Sequence, residues 1–125
     1  MIYDPKRCDT LLIPTGPSGD HLFTLVTDRC GNGQHLLLNV STIRDGQFHD
    51  NTCELAPGCH PFIKDPSWVV YRSAQIQAAA RLGKMVDGWV YKLHDPASIE
   101  LADQMLGGVA TSRFTPKFVK DYLKT

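Results

Sequence analysis

The chain has no excess of charge of either sign: thirteen lysines and arginines face thirteen aspartates and glutamates. This excludes a uniformly basic protein that coats nucleic acid, and it leaves room for a local basic patch. Long apolar runs are missing too. Stretches such as Leu36-Leu37-Leu38 and Ala78-Ala79-Ala80 fall far short of the roughly 18 residues that a membrane helix needs. The start, Met1 to Arg7, is charged and carries no apolar leader, so a cytoplasmic protein with no membrane partner is expected. Nucleotide fingerprints are absent: there is no GxxxxGK[ST] and no GxGxxG after a strand. The four cysteines, at 8, 30, 53 and 59, contain no pair at the two-residue spacing of a zinc knuckle or redox site. Without a leader, reduced thiols are the expectation. Cys53, Cys59 and His60 come nearest to a ligand set. Small core-facing roles account for Cys8 and Cys53, and the reading is no metal and no cofactor.

What is present suits one domain over residues 1–125, mainly β over 8–75 with a helical extension over 95–125. Strands are expected over 8–14, 21–28, 34–41, 52–55 and 67–72. In the second of these Leu22, Thr24 and Val26 alternate with Phe23, Leu25 and Thr27. Neither face is strongly polar, as in a central strand. Cys30-Gly31-Asn32-Gly33 reads as a hairpin connection. Residues 74–82 have helical character, and 88–93 read as a last strand or a link. Asp95-Pro96 and Thr115-Pro116 both look like helix starts, the first helix running to Leu106 and stopped by Gly107-Gly108. The expected fold is α+β: a small bent antiparallel sheet or SH3-like barrel with C-terminal helices.

The polar residues with most chemistry lie between Asp50 and Arg72. Gly58-Cys59-His60-Pro61-Phe62-Ile63-Lys64 is a loop beside the strand Ser67-Trp68-Val69-Val70-Tyr71-Arg72. His60 exchanges protons near neutral pH. Lys64 and Arg72 suit phosphate. Ser67 and Tyr71 supply hydroxyls. Plainer roles exist for each: His60 pins its loop, Arg72 pairs with Asp50 or Asp65, and Phe62, Ile63, Trp68 and Val70 fill a core.

The run of a strand over 22–28, a strand ending Asn39-Val40-Ser41-Thr42, then Asp50-x-Thr52-Cys53, Gly58-x-His60-Pro61-Phe62-Ile63 and Ser67-x-Val69-x-Tyr71-Arg72 resembles a group of small bacterial and phage proteins. The core of that group is similar in layout to the SH3-like barrel of the PemK/MazF-type toxins. The resemblance covers about residues 9–76. It implies a toxin of a toxin–antitoxin pair that cleaves RNA without a metal. Ser41-Thr42 matches the Thr-Ser-like pair of that family, whereas its usual Arg-Pro is replaced here by His21-Leu22-Phe23. On this reading His60 and Arg72 are catalytic, and Ser41, Thr42, Lys64, Ser67 and Tyr71 bind substrate. The partners would be RNA, an antitoxin protein and a second copy of the chain. The alternative is a non-catalytic SH3-like module. It would bind a protein or nucleic acid through Phe62, Trp68, Tyr71 and Arg72.

Overall fold

Five of the six strands of one antiparallel sheet come from the chain before residue 79. A computed structural model describes residues 3–124. Met1 and Ile2, where the leaderless start was expected, and Thr125 lie outside the described residues. The strands are β1 (Thr10–Pro14), β2 (Asp20–Leu25), β3 (Gln34–Thr42), β4 (Glu54–Leu55), β5 (Ser67–Ala78) and β6 (Lys92–His94). The helices are α1 (Ala79–Asp87), α2 (Ile99–Gly107) and α3 (Lys117–Leu123). The sheet runs β4-β5-β3-β2-β1-β6. All its pairings are antiparallel, and it curls into a half-barrel. The expected α+β class with C-terminal helices is what forms.

Register assigns the two faces. Leu22 pairs with Val40 and Val40 with Val69. These residues, with Leu36, Leu38 and Tyr71, form one buried cluster with Leu101, Met105, Val109 and Val119 of the helical segment. Each such buried leucine or valine contributes about 1.5–3 kcal/mol relative to exposure. On the opposite face Leu11 pairs with Phe23 and Phe23 with Asn39. There Leu11, Ile13, Phe23, Leu25 and Leu37 pack with Leu82 of α1, Tyr91 and the half-buried Met85 and Val86. The α1 helix therefore covers only part of this second face.

The hairpin between β2 and β3 closes as its residues dictate. The Cys30 amide donates to the Gln34 carbonyl at 3.0 Å and the Gly33 amide to the Cys30 carbonyl at 2.9 Å. Gly33 supplies the left-handed backbone, at φ +72°.

Two helix boundaries differ from expectation. Residues 74–78 extend β5 instead of starting a helix, because His35, Leu36 and Leu37 of β3 offer Gln77, Ile76 and Gln75 a ladder. Alternation of Gln75, Ile76 and Gln77 fits that ladder as well as it fits a helix, and pairing decides. Asp95 does not cap α2. Ser98 does, its Oγ accepting from the Leu101 amide at 3.0 Å. Ile99, the first residue of α2, is 62% exposed. The α3 helix follows Thr115-Pro116 as anticipated and buries Val119. The Thr115 hydroxyl donates instead to the Val109 carbonyl at 2.7 Å.

Asp50 ties the sheet to the C-terminal segment. Its carboxylate accepts from the Ser112 hydroxyl at 2.6 Å, and from the Thr52 amide at 2.9 Å and hydroxyl at 2.6 Å. Burial pushes this carboxyl up. The bonds from Ser112 and Thr52, with Arg113 nearby, outweigh that and hold it below the usual carboxylate range. A depressed folded value adds stability that is complete above the unfolded value of about 4 and is lost as pH falls through the lower folded value. Acid titration of unfolding free energy should show this loss below about pH 4, and Asp50→Asn should flatten it; an unchanged profile in the variant would refute the role.

Gly108 marks the tightest approach. A Cβ there would lie 2.0 Å from the Tyr71 hydroxyl oxygen and 2.6 Å from its ring carbon Cζ. Gly108→Ala should destabilise the fold by about 1–3 kcal/mol or more through overpacking, read by urea unfolding; no shift in the midpoint would count against this packing.

Candidate nucleic-acid interface

Two adjoining hollows open at the sheet: one at the end of β2 and β3, reaching round to Val40 and Ile63 of the helix-packed side, and one on the part of the second face that α1 leaves uncovered. The first, about 330 Å³, is lined by Asp20, His21, Ser41, Thr42, Arg44, Phe62, Lys64, Asp65 and Ser67, among others. The second, about 450 Å³, is lined by His21, Asn39, Ser41, Trp68, Val70 and Arg72, among others. His21 and Ser41 belong to both, so the two form one trough. Strand register explains the grouping. Ser41 lies opposite Trp68 and Asn39 opposite Val70, and β5 continues to Arg72 on the same face.

Five of the seven residues expected in a toxin-like site line this trough, Ser41, Thr42, Lys64, Ser67 and Arg72, as do Phe62 and Trp68 of the alternative binding module. Ser67 is buried, and its hydroxyl donates to the Asp65 carbonyl at 2.9 Å. Arg44, Lys64 and Arg72 are exposed. Among the described residues none of the three forms an ion pair. The pairing of Arg72 with Asp50 or Asp65 is thus not formed: Asp50 is committed to Ser112 and Thr52. Asp20 and Asp65 line the first hollow without pairing with its cations.

His60 and Tyr71 are not brought to the trough. Tyr71 is fully buried in the helix-packed core. Its hydroxyl donates to the Met105 carbonyl at 2.7 Å. His60 is 2% exposed. Its Nε2 donates to the Asp95 carbonyl at 2.6 Å, and its Nδ1 accepts from the Phe62 amide at 3.0 Å. A carbonyl only accepts and an amide N–H only donates, so the proton sits on Nε2 and both ring nitrogens are occupied. Its ring packs 5.3 Å from that of His94.

His21 is the residue that sequence reasoning passed over. Its Nδ1 meets the Thr15 hydroxyl oxygen. That hydroxyl spends its own hydrogen on the Gly19 carbonyl at 2.8 Å, so Nδ1 is the donor and Nε2 carries the lone pair. No partner occupies Nε2 among the described residues. His21, which lines the trough, thus carries one ring nitrogen without a partner among the described residues. The available signal was its place two residues before Phe23 on the face that carries Asn39. Among the described residues no three His, Cys, Asp or Glu side chains come together as a metal-binding group.

Comparison with protein-family models and with curated proteins found no match for this chain.

His60→Ala removes one donor from the Asp95 carbonyl and leaves the Phe62 amide unsatisfied. Unfolding by denaturant should show a loss of about 1–3 kcal/mol. A variant as stable as the parent would show that the two bonds carry nothing.

Proposed function

We propose that the chain binds RNA through this trough. The observation that carries this reading is the set of three cations, Arg44, Lys64 and Arg72, that line one trough without an ion pair on a chain of zero net charge. Phosphodiester oxygens would complete them, with Ser41 and Thr42 as neutral donors. Phe62, 41% exposed at the rim, adds a surface for an unpaired base. The resemblance to PemK/MazF-type toxins supports the same reading, on which an acidic antitoxin would compete for these cations.

A second reading, cleavage of the bound strand, is favoured by His21. The 2′-oxygen attacks the adjacent phosphorus while its proton passes to Nε2 of His21. The bond to the 5′-oxygen breaks, that oxygen takes a proton from water, and a 2′,3′-cyclic phosphate remains. Arg72 and Lys64 would stabilise the charge on phosphorus. His60 would serve this site from a distance, as a fixed part of the loop that carries Lys64.

Fluorescence anisotropy with labelled single-stranded RNA should show binding that weakens steeply with salt. Arg72→Ala and Lys64→Ala should each lower the slope of log affinity against log salt by roughly 0.7–1. Absence of binding at low salt, or unchanged slopes in both variants, would refute the binding reading. Cleavage should persist in excess chelator and fall about 10²–10⁴-fold in His21→Ala, with the melting temperature unchanged. Binding without any cut strand would leave a module that holds RNA and does not process it.

A further inference from the structure

A separate groove of about 350 Å³ lies between the loop before β4 and the segment before α3, lined by Phe48, His49, Asn51, Thr111, Arg113 and Phe114 with Asp50 and Thr52. Phe48 is 63% exposed. Its ring meets Phe114 edge-on, with centroids 5.3 Å apart and planes at 66°. The Arg113 guanidinium lies over Phe114, 4.9 Å from the ring centroid. Arg113 has no ion pair among the described residues. The groove's one acid, Asp50, feels the charge of Arg113 but its carboxylate accepts its hydrogen bonds from Ser112 and Thr52. His49 is held by Glu54 at 2.7 Å.

An open aromatic face beside a stacked, unpaired guanidinium asks for a ligand with a flat π system and an anion. A nucleotide has both. The groove also adjoins the trough: the His49 ring in the groove lies 6.1 Å from the ring of Trp68 in the trough, centroid to centroid. A strand leaving the trough past Trp68 would reach His49 and the groove that it lines.

We infer that this groove is a second contact for the same RNA strand, in which one unpaired base stacks on Phe48 and a phosphate meets Arg113. The inference rests on the RNA-binding reading of the trough. It makes the protein selective for single strands, because a duplex keeps its base faces covered.

The test compares single-stranded RNA of about four nucleotides, enough for the trough alone, with about twelve, enough for both sites. Phe48→Ala should weaken binding of the longer RNA roughly 5- to 150-fold and leave the shorter unchanged. Phe48→Trp should restore the longer RNA's affinity, which separates stacking from damage to the fold. Arg113→Ala should lower the salt slope by roughly 0.7 for the longer RNA only. If the parent chain binds neither RNA, the trough reading and this inference both fall. If it binds both and Phe48→Ala binds the longer RNA as tightly as the parent, the groove inference alone falls. The same holds if Phe48→Ala weakens both lengths equally.

Discussion

The two bonds of the His60 ring hold together parts of the structure that the sheet itself leaves apart. The strand order puts β4 at one edge and β6 at the other. His60 belongs to the loop that follows β4, yet its Nε2 donates to the carbonyl of Asp95, just past β6. The same carbonyl accepts from the Thr10 hydroxyl of β1 at 2.6 Å. One backbone oxygen thus gathers β1, the end of β6 and the far loop. The bond at Nδ1 fixes the loop's own turn through Phe62. That places Ile63 in the helix-packed core, with Phe62 and Lys64 beside the trough. A buried imidazole does this because it donates at one end and accepts at the other, so neither nitrogen is left without a partner.

Coverage of the sheet decides where ligands can reach. The helix-packed face is closed by α2, α3 and the segment between them, down to the hydroxyl of Tyr71. The other face is closed in part, by Leu82, Met85 and Val86 of α1 with Tyr91 and Tyr3. The remainder keeps an alternation of polar and aromatic side chains, and among the described residues Arg44, Lys64 and Arg72 beside it form no ion pair. Balanced composition hides this, because the acids with short partners sit elsewhere. Asp103 pairs with Arg7, Asp4 with Arg29 and Asp121 with Lys117.

Much of the fold was legible because strands declare themselves by alternation and hairpins by their glycines. Leu22 to Leu25 and Gln34 to Ser41 fall in strands, and Gly33 takes the positive φ that its turn requires. The failures came where local and distant signals compete. Asp95-Pro96 has the form of a helix start, but a tertiary bond claims the Asp95 carbonyl and the helix waits for Ser98. Gln75 to Ala78 could form either element until β3 supplies a partner. In the site, Ser41, Thr42, Lys64, Ser67 and Arg72 were found because they are polar groups around one strand pair. Tyr71 is next to Arg72 in sequence and on the opposite face in space, as the two-residue period of a strand requires. His60 looked reactive by residue type alone; only its neighbours reveal that both nitrogens are occupied. Choosing His21 needed the Thr15 and Gly19 contacts, which no spacing encodes.

The pairing of β6 with β1 has a consequence for how the chain is made. Thr10 and Asp95, joined by a hydrogen bond, are 85 positions apart, and β6 lies between α1 and α2 in the chain. As the polypeptide leaves the ribosome, β1, β2 and β3 can zip together early through short loops. The outer edge of β1 then stays unpaired until residues 92–94 emerge, and the helix-packed face stays bare longer still, until α2 and α3 follow. Closing so long a loop is slow, and it leaves apolar strands and a free edge uncovered in the meantime. The last quarter of the chain therefore acts as a cap on a nascent sheet, and the period before it arrives is when that sheet is most exposed.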